Sequence, residues 1–392
     1  MSQIRKKRSS SRFASSIIAL LVVSVCGLHA ARAADPEIAR IQAGAARGSI
    51  QQQIELGNAY LAGRGVARDE AKAAYWYEKA ANSGDPAAQQ QIGYFYQIGL
   101  GVKRDPLRAV QWFERAVAGG LISAKVNLGV AFFWGIGVRK DPIFAAQLFR
   151  EASEKGSGMG ACYLGDLYYF GLGVTKSESD ALHWFELGSR LHSVPAKLSL
   201  ALLLSVQSDQ KSQHRAVKLL RESAAAGSVA AKHQLGLQIM RKPELARSPE
   251  EGIAMLEEAA SQGFWRSSIV LGRLSRDGHG LAKDSSAAYY HFRIAVIQGH
   301  EKASPMLASD FRALFLELNQ AQVKALDQEA EAWVERHKRP YVNLHGEYAD
   351  TFHPLALEYP EGDTRAALLV PAPDADGSSA GEGSLVEGIR NE

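Results

Sequence analysis

The chain has 392 residues, with 45 lysines and arginines against 42 acidic residues, a formal net charge of +3 and the composition of a folded protein. No basic patch marks it for nucleic acid, and two cysteines exclude a disulfide-rich scaffold. Length sets no domain count if the chain is built of stacked repeats.

The first 33 residues stand apart. Arg5, Lys6, Lys7, Arg8 and Arg12 precede an apolar run from Ile17 to Leu28, and Ala31 and Ala33 follow in an A-x-A arrangement. This pattern predicts a cleaved secretory signal with its junction at Ala33/Ala34. The alternative is an uncleaved anchor in an inner membrane, but about 12 apolar residues fall short of the roughly 20 that span a bilayer. Cleavage removes six basic and no acidic residues, so the mature chain carries 39 against 42, a net of −3. Cys26 leaves too, and Cys162, alone in an apolar helical pattern, reads as a small core residue. The expected location is periplasmic or secreted, with no stable membrane span after cleavage.

Residues 34–48 form a lead-in whose Pro36 suits the first turn of a capping helix. From Ser49 a period takes hold. The chain reads LGNAYLAGRGVARD from Leu56, IGYFYQIGLGVKRD from Ile92, LGVAFFWGIGVRKD from Leu128 and LGDLYYFGLGVTKS from Leu164. Their glycines, Gly57, Gly93, Gly129 and Gly165, are spaced by 36. A fixed period of this length predicts stacked supersecondary units that bury a core none could bury alone.

Each unit divides into two helical patterns, A and B, joined by a glycine loop. In the second unit, Ala88, Ile92 and Tyr96 recur every four residues, with Asp85 and Pro86 as cap and first turn. The loop follows at Gly99 and Gly101, and helix B opens after Asp105 with Ala109, Trp112, Phe113 and Ala116 before Gly119 and Gly120. Trp76, Trp112 and Trp184 share a helix B column with Leu148 and Met255, a swap among large apolar types that marks a packed position rather than a ligand box. Ala73, Ala109, Ala145, Ala181 and Ala216 stand three residues earlier, where a small side chain lets helices approach. The loop pairs Gly63/Gly65, Gly99/Gly101, Gly135/Gly137, Gly171/Gly173 and Gly278/Gly280 are expected to supply positive φ. No GxxxxGK[ST] pattern accompanies them, so they do not read as phosphate loops.

Seven units cover residues 49–299, of which the fifth and sixth are degenerate. At Leu200 the glycine becomes Ala201 and the loop reads SVQSDQKSQ; Gly236 follows, but the sixth loop, RKPELARS, has no glycine pair. The seventh, LGRLSRDGHGLAKD, restores the pattern with Gly272. Residues 300–339 read as C-terminal capping helices, and FRALFLELNQAQVKALDQEAEAWVERHKR predicts one long helix with Leu314, Leu318, Val323, Leu326, Ala330 and Trp333 apolar. Residues 340–392, rich in Pro, Gly, Asp, Glu and Ser, read as a largely disordered tail.

The columns A-x-x-x-L-G-x-x-Y-x-x-G-x-G-V-x-x-D and A-x-x-W-[YF]-x-x-A resemble the Sel-one-like repeat family, relatives of the tetratricopeptide repeats, over residues 49–299. LNQAQVKALDQEAEAW also looks like the helix that closes bacterial members. The resemblance implies an all-α fold, a right-handed α-solenoid of antiparallel helix pairs, acting as an adaptor. Secreted bacterial members are linked to envelope signalling, exopolysaccharide control, motility, virulence and envelope assembly. One cysteine-rich branch has been described as penicillin-binding with weak β-lactam hydrolysis, but it pairs cysteines within each repeat, and here one cysteine remains.

Motifs for catalysis are thin: the eleven histidines are scattered, with no H-E-x-x-H and no paired Cys-x-x-Cys. His345, Glu347, Asp350 and His353 have a spacing that can touch a metal but no scaffold to orient them. The expectation is a non-enzymatic protein with no cofactor and no metal. The resemblance to tetratricopeptide arrays implies a groove lined by helix A residues two after the leucine (Tyr94, Val130, Asp166, Leu202) and five to six after it (Gln97/Ile98, Phe133/Trp134, Tyr169/Phe170). Phe133 and Tyr169 are expected to face a partner, with Asp166 as a polar contact, while Trp134 and Phe170, next to the loop, lean towards packing. The first reading is a scaffold binding another envelope or secreted protein. The alternatives are a glycan- or peptidoglycan-binding module, since aromatic strips stack on sugars, and, third, a weak cell-wall or β-lactam hydrolase.

Overall fold

The computed structural model describes residues 36–248, 250–299 and 302–337. The signal, its Ala33/Ala34 junction, the tail and its His345–His353 group lie outside the described residues. All regular structure among the described residues is helical, and the chain divides between Asp141 and Pro142 into two compact units.

The first unit holds α1 (Pro36–Ala46), α2 (Ile50–Ala62), α3 (Glu70–Asn82), α4 (Pro86–Ile98), α5 (Pro106–Ala118) and α6 (Ile122–Trp134). The second holds α7 (Pro142–Glu154), α8 (Gly158–Phe170), α9 (Glu178–Arg190), α10 (Val194–Ser205), α11 (Gln210–Ala225) and α12 (Val229–Arg241). A 3-10 turn at Pro243–Leu245 then leads to α13 (Glu251–Ser261), α14 (Trp265–Asp277), α15 (Ser285–Gly299), α16 (Ala303–Met306), α17 (Ala308–Leu314) and α18 (Gln320–His337). Even-numbered α2 to α14 are the A helices and odd-numbered α3 to α15 the B helices. Within each unit every helix up to α17 packs on the one before it, as short connections between antiparallel neighbours require, while α18 packs on α15.

The A-to-B loop follows from two residue types. The first loop glycine adopts the left-handed conformation, φ 66° at Gly63, 82° at Gly99 and 72° at Gly171, and its N–H returns to the last turn of helix A. The next amide reaches the same carbonyl, Arg64 N to Ala59 O at 3.0 Å and Leu100 N to Phe95 O at 3.0 Å, closing a Schellman-type turn. The aspartate that ends the loop works twice. Its side chain caps helix B, Asp69 accepting from Lys72 N at 2.9 Å and Asp105 from Arg108 N at 3.0 Å. Its own N–H reaches back to helix A, Asp69 to Tyr60 O at 3.0 Å and Asp105 to Tyr96 O at 2.8 Å. The second glycine of the pair lies against the preceding helix B: a Cβ on Gly101 would overlap the Glu70 carbonyl, and one on Gly137 that of Pro106. All ten loop glycines have positive φ.

The glycine in the middle of helix A has a different role. A Cβ on Gly57 would sit 2.7 Å from the Tyr77 ring, on Gly93 2.7 Å from Phe113, and on Gly165 2.6 Å from Phe185. Beside each ring lies the alanine column: the Ala109 carbonyl is 3.2 Å from that Gly93 position. Ala73, Ala109, Ala145, Ala181 and Ala216 are all sealed from solvent, so helix A backbone meets helix B backbone with no side chain between them. In the fifth repeat Ala201 replaces the glycine and Leu220 the ring, a smaller partner in the same buried cluster. Gly236 and Gly272 keep the arrangement against Leu256 and Phe292, and Gly129 is buried on α6. The tryptophan column is buried at Trp112 and half-buried at Trp76 and Trp184.

The degenerate sixth loop is held by side chains instead of glycines. Arg221 donates to both carboxylate oxygens of Glu251 at 2.8 Å and to the Leu245 carbonyl at 2.8 Å, while Glu251 also accepts from Arg247 N. These bonds hold the Glu251 carboxyl below its ordinary range.

At the C-terminal end the single long helix expected from Phe311 onward is two, broken between Leu314 and Gln320. Asn319 is the cause: its side chain accepts from the Ala321 and Gln322 amides at 3.0 Å, and the Gln322 side chain accepts from the Asn319 N–H at 3.0 Å. This reciprocal cap starts a new helix inside a pattern whose apolar periodicity reads as continuous. The new helix turns back on α15, where Tyr289 donates to Asp327 at 3.0 Å, and Asp310 is buried between Arg273 and Arg276.

Gly93→Ala tests the ring contact. Helix propensity alone favours alanine by about 1 kcal/mol. Overpacking against Phe113 should instead cost about 1–3 kcal/mol and lower the melting temperature by several degrees. Adding Phe113→Leu should recover part of the loss; a melting temperature that rises in the single variant overturns the contact.

Candidate functional site

The exposed face of the A helices follows from the glycine. With about 100° of turn per residue, the side chain four after the glycine returns to within roughly 40° of it and faces helix B. Leu61, Phe133 and Tyr169 stand at that position and are buried, Phe133 at 6% and Tyr169 at 7% exposure. The residues two before, one after and five after the glycine fall within roughly 60° of arc on another side. In the first unit these are Glu55 and Asn58 on α2, Gln91, Tyr94 and Ile98 on α4, and Asn127, Val130 and Trp134 on α6. All are at least partly open, and Trp134 is 43% exposed.

This reverses part of the sequence expectation. Phe133 and Tyr169, expected to meet a partner, lie in the interior because they share the glycine's face. Trp134, expected to pack, projects into solvent, edge-on to Phe133 with ring centroids 4.9 Å apart. Tyr94 and Gln97 are half-buried on α4. Of the residues the sequence reading passed over, Gln91 and Asn127 belong to the open stripe, and their position three before Tyr94 and Val130 was the available signal. Neighbouring A helices in this unit are tied below the stripe: Ser123 donates to Gln90 at 2.8 Å, and Gln90 donates to Asn127 at 3.4 Å.

In the second unit the corresponding face is closed. Asp166 is 1% exposed and cannot serve as an open polar contact. Phe170 is partly buried against a cluster that includes Cys162, Tyr169, Leu200 and Leu202. The cause is α10, which packs directly on α8 and is apolar on all sides; Leu198 and Leu200 to Leu204 are all buried. Leu202, aligned with Tyr94, is therefore core.

The second unit also contains a Ser–His pair. His233 Nδ1 lies 2.8 Å from Ser267 Oγ, and the ring packs at 4.8 Å from that of Phe264. Both residues are at most 1% exposed, so no substrate reaches them, and burial beside Arg266 pushes the His233 pKa down to about 3. Burial likewise takes His291 down to about 4 and Tyr77 up to about 12. Among the described residues no three His, Cys, Asp or Glu side chains group to hold a metal ion.

The repeat and loop geometry coincide with a known family. The Sel1 repeat model matches residues 53–85, 86–121, 122–157, 158–193, 198–228, 230–264 and 268–300, and the chain belongs to the Sel1 repeat family. Its fold is accordingly an all-α solenoid of helix pairs. A Sel1 repeat protein from Oxalobacter formigenes is 27% identical, with 62% of this chain and 98% of that chain covered and a TM-score of 0.54. A protective antigen of uropathogenic Escherichia coli displaying an SLR fold is 24% identical over 79% of this chain and 76% of its own, with a TM-score of 0.39. A Sel1 repeat protein from Klebsiella pneumoniae subsp. pneumoniae is 20% identical over 50% and 97%, with a TM-score of 0.35. No curated protein matches the chain significantly. Sel1 repeats generally form non-catalytic scaffolds for protein interactions, and no described helix is long and apolar enough to cross a membrane.

The buried His233 makes stability depend on pH. Its folded pKa, about 3, lies below the unfolded value near 6.5, so the unfolded chain takes up the proton first as pH falls. Its contribution is complete above pH 6.5 and lost progressively towards pH 3, at about 1.4 kcal/mol per unit once the unfolded imidazole is charged. Melting temperatures between pH 8 and 4 should fall less steeply in His233→Gln than in the native chain, whatever the variant's starting value.

Proposed function

We propose that the chain is a non-catalytic adaptor of the periplasm or extracellular space that binds a protein through the open A-helix stripe of its first unit. The observation that carries this reading is Trp134. Its ring touches Phe133 edge-on, yet this large aromatic stands 43% exposed on the same stripe as Tyr94, Ile98 and Val130, with Asn58, Gln91 and Asn127 as polar members. An aromatic anchor within a mixed polar rim is how protein interfaces concentrate binding energy. The burial of Phe133 and Tyr169 removes most of the aromatic strip that a glycan would stack on, which favours a protein partner. The secretory pattern of residues 1–33 supports the location, and the family's secreted members support a role in envelope signalling or exopolysaccharide control.

Two substitutions separate surface from core. Trp134→Ala should change stability by less than about 1 kcal/mol and abolish capture of the partner. Phe133→Ala should cost about 3–5 kcal/mol through the cavity it leaves. A photo-crosslinking residue at Tyr94 or Val130 in living cells, followed by mass spectrometry of the adduct, identifies the partner. Partner capture that survives Trp134→Ala rejects the site. The N-terminus of the mature protein should be Ala34; an intact Met1 in the envelope fraction rejects cleavage.

A further inference from the structure

The second unit carries a candidate surface of its own. The end of α9, the first turn of α10 and the middle of α11 enclose a cleft of about 330 Å³ floored by Leu219. Arg190, Lys197, Arg215 and Lys218 line it. Two carboxylates answer them: Glu222 pairs with Lys197 at 2.7 Å, and Glu186 with Arg215 at 2.8 Å and more distantly with Arg190 at 4.0 Å. Four cations against two anions leave two positive charges uncompensated, and no ion pair is formed by Lys218 among the described residues.

The repeat does not require this charge. Lys218 stands where the first three repeats have Tyr75, Gln111 and Gln147; Arg215 stands where the third and fourth have Phe144 and Asp180, although the first two have Lys72 and Arg108; and the equivalent of His192, which also lines the cleft, is Gly84, Gly120 or Gly156 elsewhere. At this turn those glycines adopt φ of 87° to 94°, and His192 holds φ 60° in their place. A side chain kept in the left-handed region, where glycine would be less strained, places an imidazole at the mouth of the cationic cleft.

We propose that this cleft docks an acidic peptide segment, and that its occupant is this chain's own stretch Asp374–Glu387. That stretch carries Asp374, Asp376, Glu382 and Glu387 with no basic residue, and Leu385 and Val386 can meet Leu219. It belongs to the same chain as the cleft, which raises its effective concentration to about the millimolar range. Reach is not limiting: the 36 residues between His337 and Asp374 can extend to roughly 120 Å.

Zero-length carbodiimide crosslinking of the full chain tests this, with peptides mapped by mass spectrometry. The expected products join Lys197 or Lys218 to Asp374, Asp376, Glu382 or Glu387 within one molecule. Their yield should fall at least about five-fold at high salt and in Arg190→Glu or Arg215→Glu, which leave both lysines in place. Arg190 is the safer site for the fold, being the more exposed and weakly paired, and an unchanged melting curve certifies it. Absence of these products, yields indifferent to both charge reversals, or links formed only between differently isotope-labelled molecules each overturn the proposal, the last in favour of an acidic segment from a second chain.

Discussion

A methyl group is too large for the space between the middle of helix A and the ring of helix B, and most of this structure depends on that limit. Gly57, Gly93 and Gly165 let Tyr77, Phe113 and Phe185 lie flush on the helix A backbone, with the alanine column bringing the two backbones together alongside. The contact fixes which face of helix A is interior. It therefore biases which face is left for a partner, because the large residues four after the glycine, Leu61, Phe133 and Tyr169, are turned inward.

The loops apply a second constraint of the same kind. A left-handed glycine closes a Schellman-type turn on helix A, and one aspartate caps helix B while its amide bonds back to helix A. A second glycine lets the loop rest on the preceding helix B. Each device acts within a repeat or between neighbours, so one repeat can lose its devices without unravelling the others. The fifth and sixth repeats show how: Leu220 opposite Ala201 shrinks the ring contact, and Arg221 with Glu251 replaces the glycine loop by charged hydrogen bonds.

Departures from the repeat also divide the surface. In the first unit the A-helix stripe stays open and carries Trp134. In the second, an apolar α10 fills the equivalent face over α8, and four cations from α9, α10 and α11 gather around a cleft. Structural constraint alone does not call for an exposed tryptophan in one place and four cations against two carboxylates in the other.

The period, the helix pairs, the loop glycines and the core character of Cys162 could all be read from the sequence, because each rests on local geometry repeated often enough to be unmistakable. The break at Asn319 was also written there, in a cap that the apolar rhythm around it obscured. The sequence alone could not assign Phe133 and Trp134, adjacent aromatics with equal claim to either role. Their fates differ by one step of roughly 100° around a helix whose orientation is set by the contact of Gly93 and its counterparts with rings some twenty residues away. Nor could it reveal that Asp166 is covered, since the covering helix α10 belongs to the next repeat. Local propensity determines that a helix forms; only the packing of neighbours decides which of its faces meets water.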